Sequence, residues 1–293
     1  MKNVIRILKK GSGKKNRMEG ILPGMNSLKF NFQLKELDKV EPFGDEADRS
    51  LHWFGLTDGL LWIDAGSQTI YEYSAEADVF FDGCGKYNDY YIARFLEDFT
   101  RTFRYVGESI PERLYNDLDK FVEKSERWRI CHEEEEDAVF DVFFDEEYCS
   151  FCEWWWNRGF SSGHLVGGPD IYCVRCGDKI KIVWESTFQT GNGKSIWTAP
   201  KGCLEMSYEE FISSVTDFLH SFFDAMDRQI EDAVKKEWGS IEVDKQRLIV
   251  ENEERKSDFL NQIYLLKNND EYTNWGRVMT LYDKMEHEIQ TIP

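Results

Sequence analysis

Bulky residues alternate with polar ones from Leu51 to Tyr73, through LHWFG, the turn Leu56-Thr57-Asp58-Gly59, LLWIDAG and TIYEY. Alternation of period two around an Asp-Gly turn predicts a three-stranded meander over 51–73, with Trp53 and Trp62 among its bulky positions. The period then changes to that of a helix. Ile92, Phe95, Leu96, Phe99 and Phe103 share one face of a helix expected over 88–104. Leu114, Leu118, Phe121 and Val122 do so over 111–128, where Ser109 and Glu112 have capping-box spacing and Pro111 suits the first turn. A third helix, over 133–158, repeats Phe140, Phe144, Tyr148, Phe151 and Trp155 every three or four positions.

A second meander follows over 171–199. Its strands are Ile171 to Cys176, Lys179 to Glu185 and Ser195 to Ala199, with turns at Gly177-Asp178 and Gly191-Asn192-Gly193. Beyond it the chain reads as helical. Ser207 and Glu210 form a capping box ahead of Phe211, Val215, Phe218, Leu219, Phe222 and Met226, in a helix expected to run to Trp238 and stop at Gly239. Two more helices are expected over 244–267 and 273–290. The class is therefore α+β, two antiparallel meanders packed with helices and a helical C-terminal third. Residues 1–27 read as a basic, mobile leader, 28–205 as an α+β lobe, and 206–293 as a helical lobe packed on it in one continuous unit.

Composition changes the picture through charge. Seven basic and no acidic residues lie in the first seventeen positions, so the rest carries 29 Lys and Arg against 55 Asp and Glu, a balance of −26. A field of that sign repels nucleic-acid phosphate and anionic lipid and attracts cationic proteins. Nucleic acid is therefore a disfavoured partner, a basic protein a favoured one, and the leader as a nucleic-acid arm the weaker reading. No apolar run approaches the roughly 18 residues of a membrane span, and Arg6 interrupts the apolar residues of MKNVIRILKK, so neither signal peptide nor membrane anchor is expected. Seven cysteines, an odd number, suit reduced thiols in the cytosol.

The acidic segment holds the most functional content. Nine carboxylates fall between Glu133 and Glu147, and on a helix Glu134, Asp137, Asp141 and Asp145 form a stripe opposite Phe140 and Phe144. The expected partner-binding residues are Glu133, Glu134, Glu135, Glu136, Asp137, Asp141 and Asp145. Like charges at this spacing repel by a few tenths of a kcal/mol per pair, which a cationic partner would offset. A solvated acidic face is the plainer alternative.

Other motifs carry less. Cys149-x-x-Cys152 and Cys173-x-x-Cys176 have the spacing of a four-thiolate zinc site, but the first pair sits inside the expected third helix, and buried reduced cysteines are the preferred reading. TGNGKS at 190–195 lacks the first glycine of a phosphate loop, since Phe188 stands there, and GSGKK at 11–15 has Lys15 where Ser or Thr would be needed. His52, His132, His164, His220 and His287 show no paired metal-ligand spacing. His164 with Ser161 and Ser162 lies in a Gly/Ser-rich loop over 158–168, the location an enzyme reading would choose. Three consecutive tryptophans, Trp154 to Trp156, cannot all face one core, so at least one should meet another lobe, another copy or a partner.

LHWFGLTDGLLWIDAG, the later WWWNRGFSSGHLVGGPDIYCVRCGDKIKIVW, IWTAPKG and TNWGRV, in that order, resemble a family of uncharacterised bacterial proteins known only as a domain of unknown function, over roughly Leu28 to Met285. The resemblance brings no catalytic residues. It implies bacterial origin and a cytosolic accessory role of the immunity type, the neutralisation of a basic toxin or effector. In the family pattern the segment from Cys173 to Gly177 is an aromatic-rich strand, so the second cysteine pair is a departure from it.

Overall fold

The computed structural model describes residues 27–46, 48–133, 136–268 and 270–291. Residues 1–26 of the basic leader expected over 1–27, and the acidic residues Glu134 and Glu135, lie outside them. Among the described residues there are two four-stranded antiparallel sheets. In the first, β1 (Leu28–Leu34), β2 (Asp58–Ala65), β3 (Gln68–Ile70) and β4 (Asn88–Tyr91) are arranged around β2. β1 lies along one edge of β2, with Leu28 opposite Ala65 and Leu34 opposite Gly59. β3 and β4 share the other edge: β3 pairs with Ile63–Ala65 and β4 with Asp58–Leu61.

The expected first meander is therefore corrected. Residues 51–54 form no strand, and a short 3-10 turn over Gly55–Thr57 leads directly into β2. Gly59 is not a turn residue but the point where β1 crosses closest, since a Cβ there would stand 2.3 Å from the Gln33 carbonyl oxygen. The real hairpin turn is Gly66-Ser67, where Gly66 has φ +62°. Trp53 is fully buried and donates its indole N–H to Asn252 Oδ1 at 2.9 Å. Trp62 stays half-buried on the outer face of the sheet, stacked on Tyr87 at 4.1 Å.

A six-residue helix, α1 (Ala75–Phe80), precedes β4, and the helix expected over 88–104 begins only at Ile92 because Asn88–Tyr91 pair with β2. It continues as α2 (Ile92–Thr100) and α3 (Phe103–Gly107), with the five predicted apolar positions buried. The next helix is broken at Asp117 into α4 (Glu112–Asn116) and α5 (Leu118–Cys131). Ser109 does not cap it; its hydroxyl accepts the Gly177 N–H. Then come α6 (Asp137–Val142), a π turn (Phe143–Tyr148) and α7 (Cys149–Trp156), in place of one uniform third helix.

The second sheet is β5 (Gly159–Ser161), β6 (Asp170–Cys176), β7 (Lys179–Glu185) and β8 (Lys201–Ser207), in sequence order. β6 and β7 match expectation. The third meander strand is β8, not Ser195–Ala199, and β5 falls within the predicted 158–168 loop. Ser207 caps α8 (Tyr208–Lys235), accepting the Glu210 N–H at 3.2 Å while donating to the Glu210 carboxylate at 2.7 Å. α8 stops three residues before Trp238. α9 (Lys245–Lys267), capped by Asp244, and α10 (Trp275–Thr291) are the last helices among the described residues.

Alternation along the second sheet divides the interior into two cores. Ile171, Cys173, Ile182, Trp184 and Leu204 join the inner face of the first sheet, α2, α3, α8 and α9. Val174, with Tyr172 and Cys176 packed beside it, faces α5, α7 and α10. The helices after residue 206 thus divide between the cores, α8 and α9 to one and α10 to the other.

The cores are joined by a buried ion pair. Arg158 and Glu108 side chains are 0% and 1% exposed, with Arg158 Nη2 2.5 Å from Glu108 Oε2. Glu108 also accepts from the Tyr272 and Thr273 amides (3.0 and 2.9 Å), the Thr273 hydroxyl (2.7 Å) and the Trp275 indole (3.0 Å). Arg158 donates to the Trp154 carbonyl at 2.7 Å and lies over the Trp275 ring. Burial lowers the Arg158 pKa, with Glu108 opposing. Removing one member leaves the other uncompensated, so Glu108→Ala is expected to cost about 3–5 kcal/mol in urea unfolding. Arg158→Ala should cost a similar amount, and the double replacement less than the sum of the two. A loss of under about 1 kcal/mol, the scale of a surface pair, would refute this role.

Candidate partner-binding surface

The acidic segment rests on a platform built from α5, the π turn and α10. Phe143 is its inward anchor, stacked on His132 at 3.8 Å and edge-on to Trp128 at 5.0 Å. The Trp128 indole donates to Glu288 Oε2 at 2.6 Å, and His132 Nε2 lies 3.0 Å from the same oxygen. Lys284 bridges Glu288 and Glu147, tying α10 to the π turn. Burial pushes the Glu288 carboxyl upward, but the Trp128 and His132 hydrogen bonds and the Lys284 charge outweigh it and hold its pKa below the ordinary value.

The π turn changes which aromatics face inward. In a uniform helix Phe140 and Phe144 would lie on the buried face; here they are only half-buried, and Phe143, Tyr148, Phe151 and Trp155 point into the core. One extra residue in the turn lengthens the inward spacing to five between 143 and 148, which rotates α6 relative to α7. α6 consequently has no buried side chain. Asp137, Asp141 and Asp145 are exposed and have no ion-pair partner among the described residues. Glu136 is exposed as well, while Glu133 is held by Arg129 at 2.9 Å. Composition alone could not reveal that Val139 and Val142 stand among these carboxylates 52% and 57% exposed.

The three tryptophans separate as helix geometry requires. Trp154 packs on Phe121 and Trp275, Trp155 stacks on Tyr172 at 4.1 Å, and Trp156 is 45% exposed beside Tyr148.

The remaining candidate residues are distributed through the fold. Ser162 is buried and hydrogen-bonded to Tyr71 at 2.5 Å, while the His164 ring lies tilted against Tyr90, with centroids 4.7 Å apart. Burial, aided by the Arg94 charge, lowers the His164 pKa; burial raises that of Asp170, against a hydrogen bond from Ser161. Cys152 lies in the α5–α7–α10 core and Cys173 in the other, its thiol pushed up to about 12 by burial. Cys173 and Cys176 are three apart on one strand and so project from opposite faces. Among the described residues no group of three or more His, Cys, Asp or Glu side chains is placed to hold a metal ion. In the 190–195 turn, Thr190 and Asn192 both donate to the Glu76 carboxylate, so an anion already belonging to the chain occupies that turn. His52 stacks on Phe43, and His220 and His287 are exposed. GSGKK lies outside the described residues.

Two concavities lie elsewhere. One of about 800 Å³ sits between the β6–β7 turn, the start of α8 and Lys267; one of about 560 Å³ follows α9 from Asp244 to Asp258. No helix of the described residues is long and apolar enough to cross a membrane.

The fold and surface define an α+β protein that, among the described residues, has two sheets and two cores and presents an acidic helix, with no side chain buried, on an aromatic platform. The chain belongs to a family of unknown function, DUF5984, whose model matches residues 29–281. Comparisons with curated proteins and with solved structures give no match.

The Glu288 platform makes an acid-side prediction. A carboxyl with a lowered folded-state pKa contributes stability above its unfolded pKa, and this is lost as pH falls through the folded value. Unfolding free energy should therefore decline from the ordinary value of 4.5 downward, and Glu288→Gln should flatten that part of the profile. An unchanged acid limb in Glu288→Gln would count against the linkage.

Proposed function

We propose that this protein is a non-enzymatic binding module that engages a cationic protein through α6 and the adjoining π turn. The observation that supports this most directly is a helix without a buried side chain, held on an ordered aromatic platform and displaying Asp137, Asp141 and Asp145 beside exposed Val139 and Val142. Isolated helices of this length do not persist in water, so the surrounding fold maintains a surface that touches the core only through the half-buried Phe140. The body charge of −26 steers a basic partner toward it, and close carboxylates then hold Arg and Lys by charge-assisted hydrogen bonds. In its finer form the reading is of the immunity type, in which the partner is a bacterial toxin or effector with a basic, phosphate-binding surface. Seven free thiols suit a reducing cytosol as the site of action.

Asp137→Lys, Asp141→Lys and Asp145→Lys together should leave the fold intact, because all three are exposed and none has an ion-pair partner among the described residues. The test is native capture of a basic protein from the host at moderate salt, then association kinetics of that protein with both forms. Reversal should slow association by at least about tenfold and reduce its salt dependence. Equal rates for the two forms would overturn this placement of the interface.

A further inference from the structure

α6 carries an apolar demand as well as an electrostatic one. Val139 and Val142 are more than half exposed, and Phe140 and Phe144, 5.8 Å apart, are half-buried beside them. Exposed apolar side chains interleaved with carboxylates that have no ion-pair partner among the described residues suit an occupant in which apolar residues are interleaved with cations. This chain contains such a segment. In MKNVIRILKK, Val4, Ile5, Ile7 and Leu8 stand between Lys2, Arg6, Lys9 and Lys10, and Lys14, Lys15 and Arg17 follow with no acidic residue before Glu19. The rest of the chain bears the opposite charge in large excess.

Chain length permits the contact. The 17 residues from Gly11 to Ser27 span up to about 55 Å when extended, comparable to the roughly 50 Å diameter of a domain of this size. A tethered segment also acts at an effective concentration on the order of millimolar, so weak intrinsic affinity suffices.

We propose that residues 1–17 dock on α6 of the same chain, their apolar residues covering Val139 and Val142 and their cations pairing with Asp137, Asp141 and Asp145. The inference rests on reading α6 as a cation-binding surface, and it adds regulation to that reading. An external basic partner must displace the leader, which keeps the valines covered and sets a threshold against weakly cationic competitors.

The experiment is zero-length carbodiimide cross-linking of the dilute full chain, followed by mass spectrometry of the monomer fraction, with hydrogen exchange measured in parallel. Amide links should join Lys9, Lys10, Lys14 or Lys15 to carboxylates between Glu136 and Glu147, and fall at least about threefold in Val139→Ser/Val142→Ser. In Arg6→Glu/Lys9→Glu/Lys10→Glu, amides 138–145 should exchange severalfold faster while those of α8 stay unchanged. Links confined to the dimer fraction, links spread evenly over all exposed carboxylates, or unchanged exchange would each overturn the proposal. The two readings fail separately. An undocked leader with partner binding still lost on α6 charge reversal overturns this inference alone, whereas a docked leader with partner binding unaffected overturns only the external interface.

Discussion

Glu108 accepts five hydrogen bonds on two buried carboxylate oxygens, and their donors come from segments that cross from one core to the other. Glu108 itself follows α3 and precedes α4. Arg158 follows α7 and precedes β5, while Tyr272 and Thr273 lie between α9 and α10 and Trp275 opens α10. Three crossings of the chain thus meet at one charge, in a place where an unpaired ion would be severely penalised. A charge pair of this kind contributes less to net stability than to specificity, because few alternative packings could satisfy it.

What this joint holds in place is the α5–α7–α10 core, on which the acidic helix stands. Trp154, whose carbonyl accepts from Arg158, belongs to that core, and Trp155 beside it stacks on Tyr172 of the shared sheet. Further along the same helical run, Phe143 is fixed by His132 and Trp128, and both of these meet Glu288 of α10. A chain of buried contacts therefore runs outward from the ion pair to a helix that packs on the core only through Phe140, and a surface that is ordered in advance loses less entropy on association.

The π turn is the local device that turns the acidic stripe into a surface. Without the extra residue, Phe140 and Phe144 would follow Tyr148 and Phe151 into the core and α6 would be an ordinary amphipathic helix. With it, the inward phase is given to Phe143, and α6 rotates until valines and aspartates share the solvent side. A leader in which cations and apolar residues are mixed in the same way fits this composition.

Period and caps in the sequence determined the α+β class, the buried stripe of α2, the β6–β7 hairpin and the start of α8, because these depend on neighbours within a few residues. The acidic character of α6 and the separation of Trp154, Trp155 and Trp156 were legible for the same reason. Strand partners were not. Asp58-Gly59 resembles a hairpin turn locally, and only the approach of β1 makes Gly59 a strand residue; Asn88–Tyr91 read as helix until β2 supplies an edge for them. The exposure of Val139 and Val142 and the meeting of Glu108 with Arg158 were decided by tertiary structure alone. An inserted helical residue leaves no mark in a three-to-four pattern of aromatics, and a contact across 50 positions depends on how two cores are brought together.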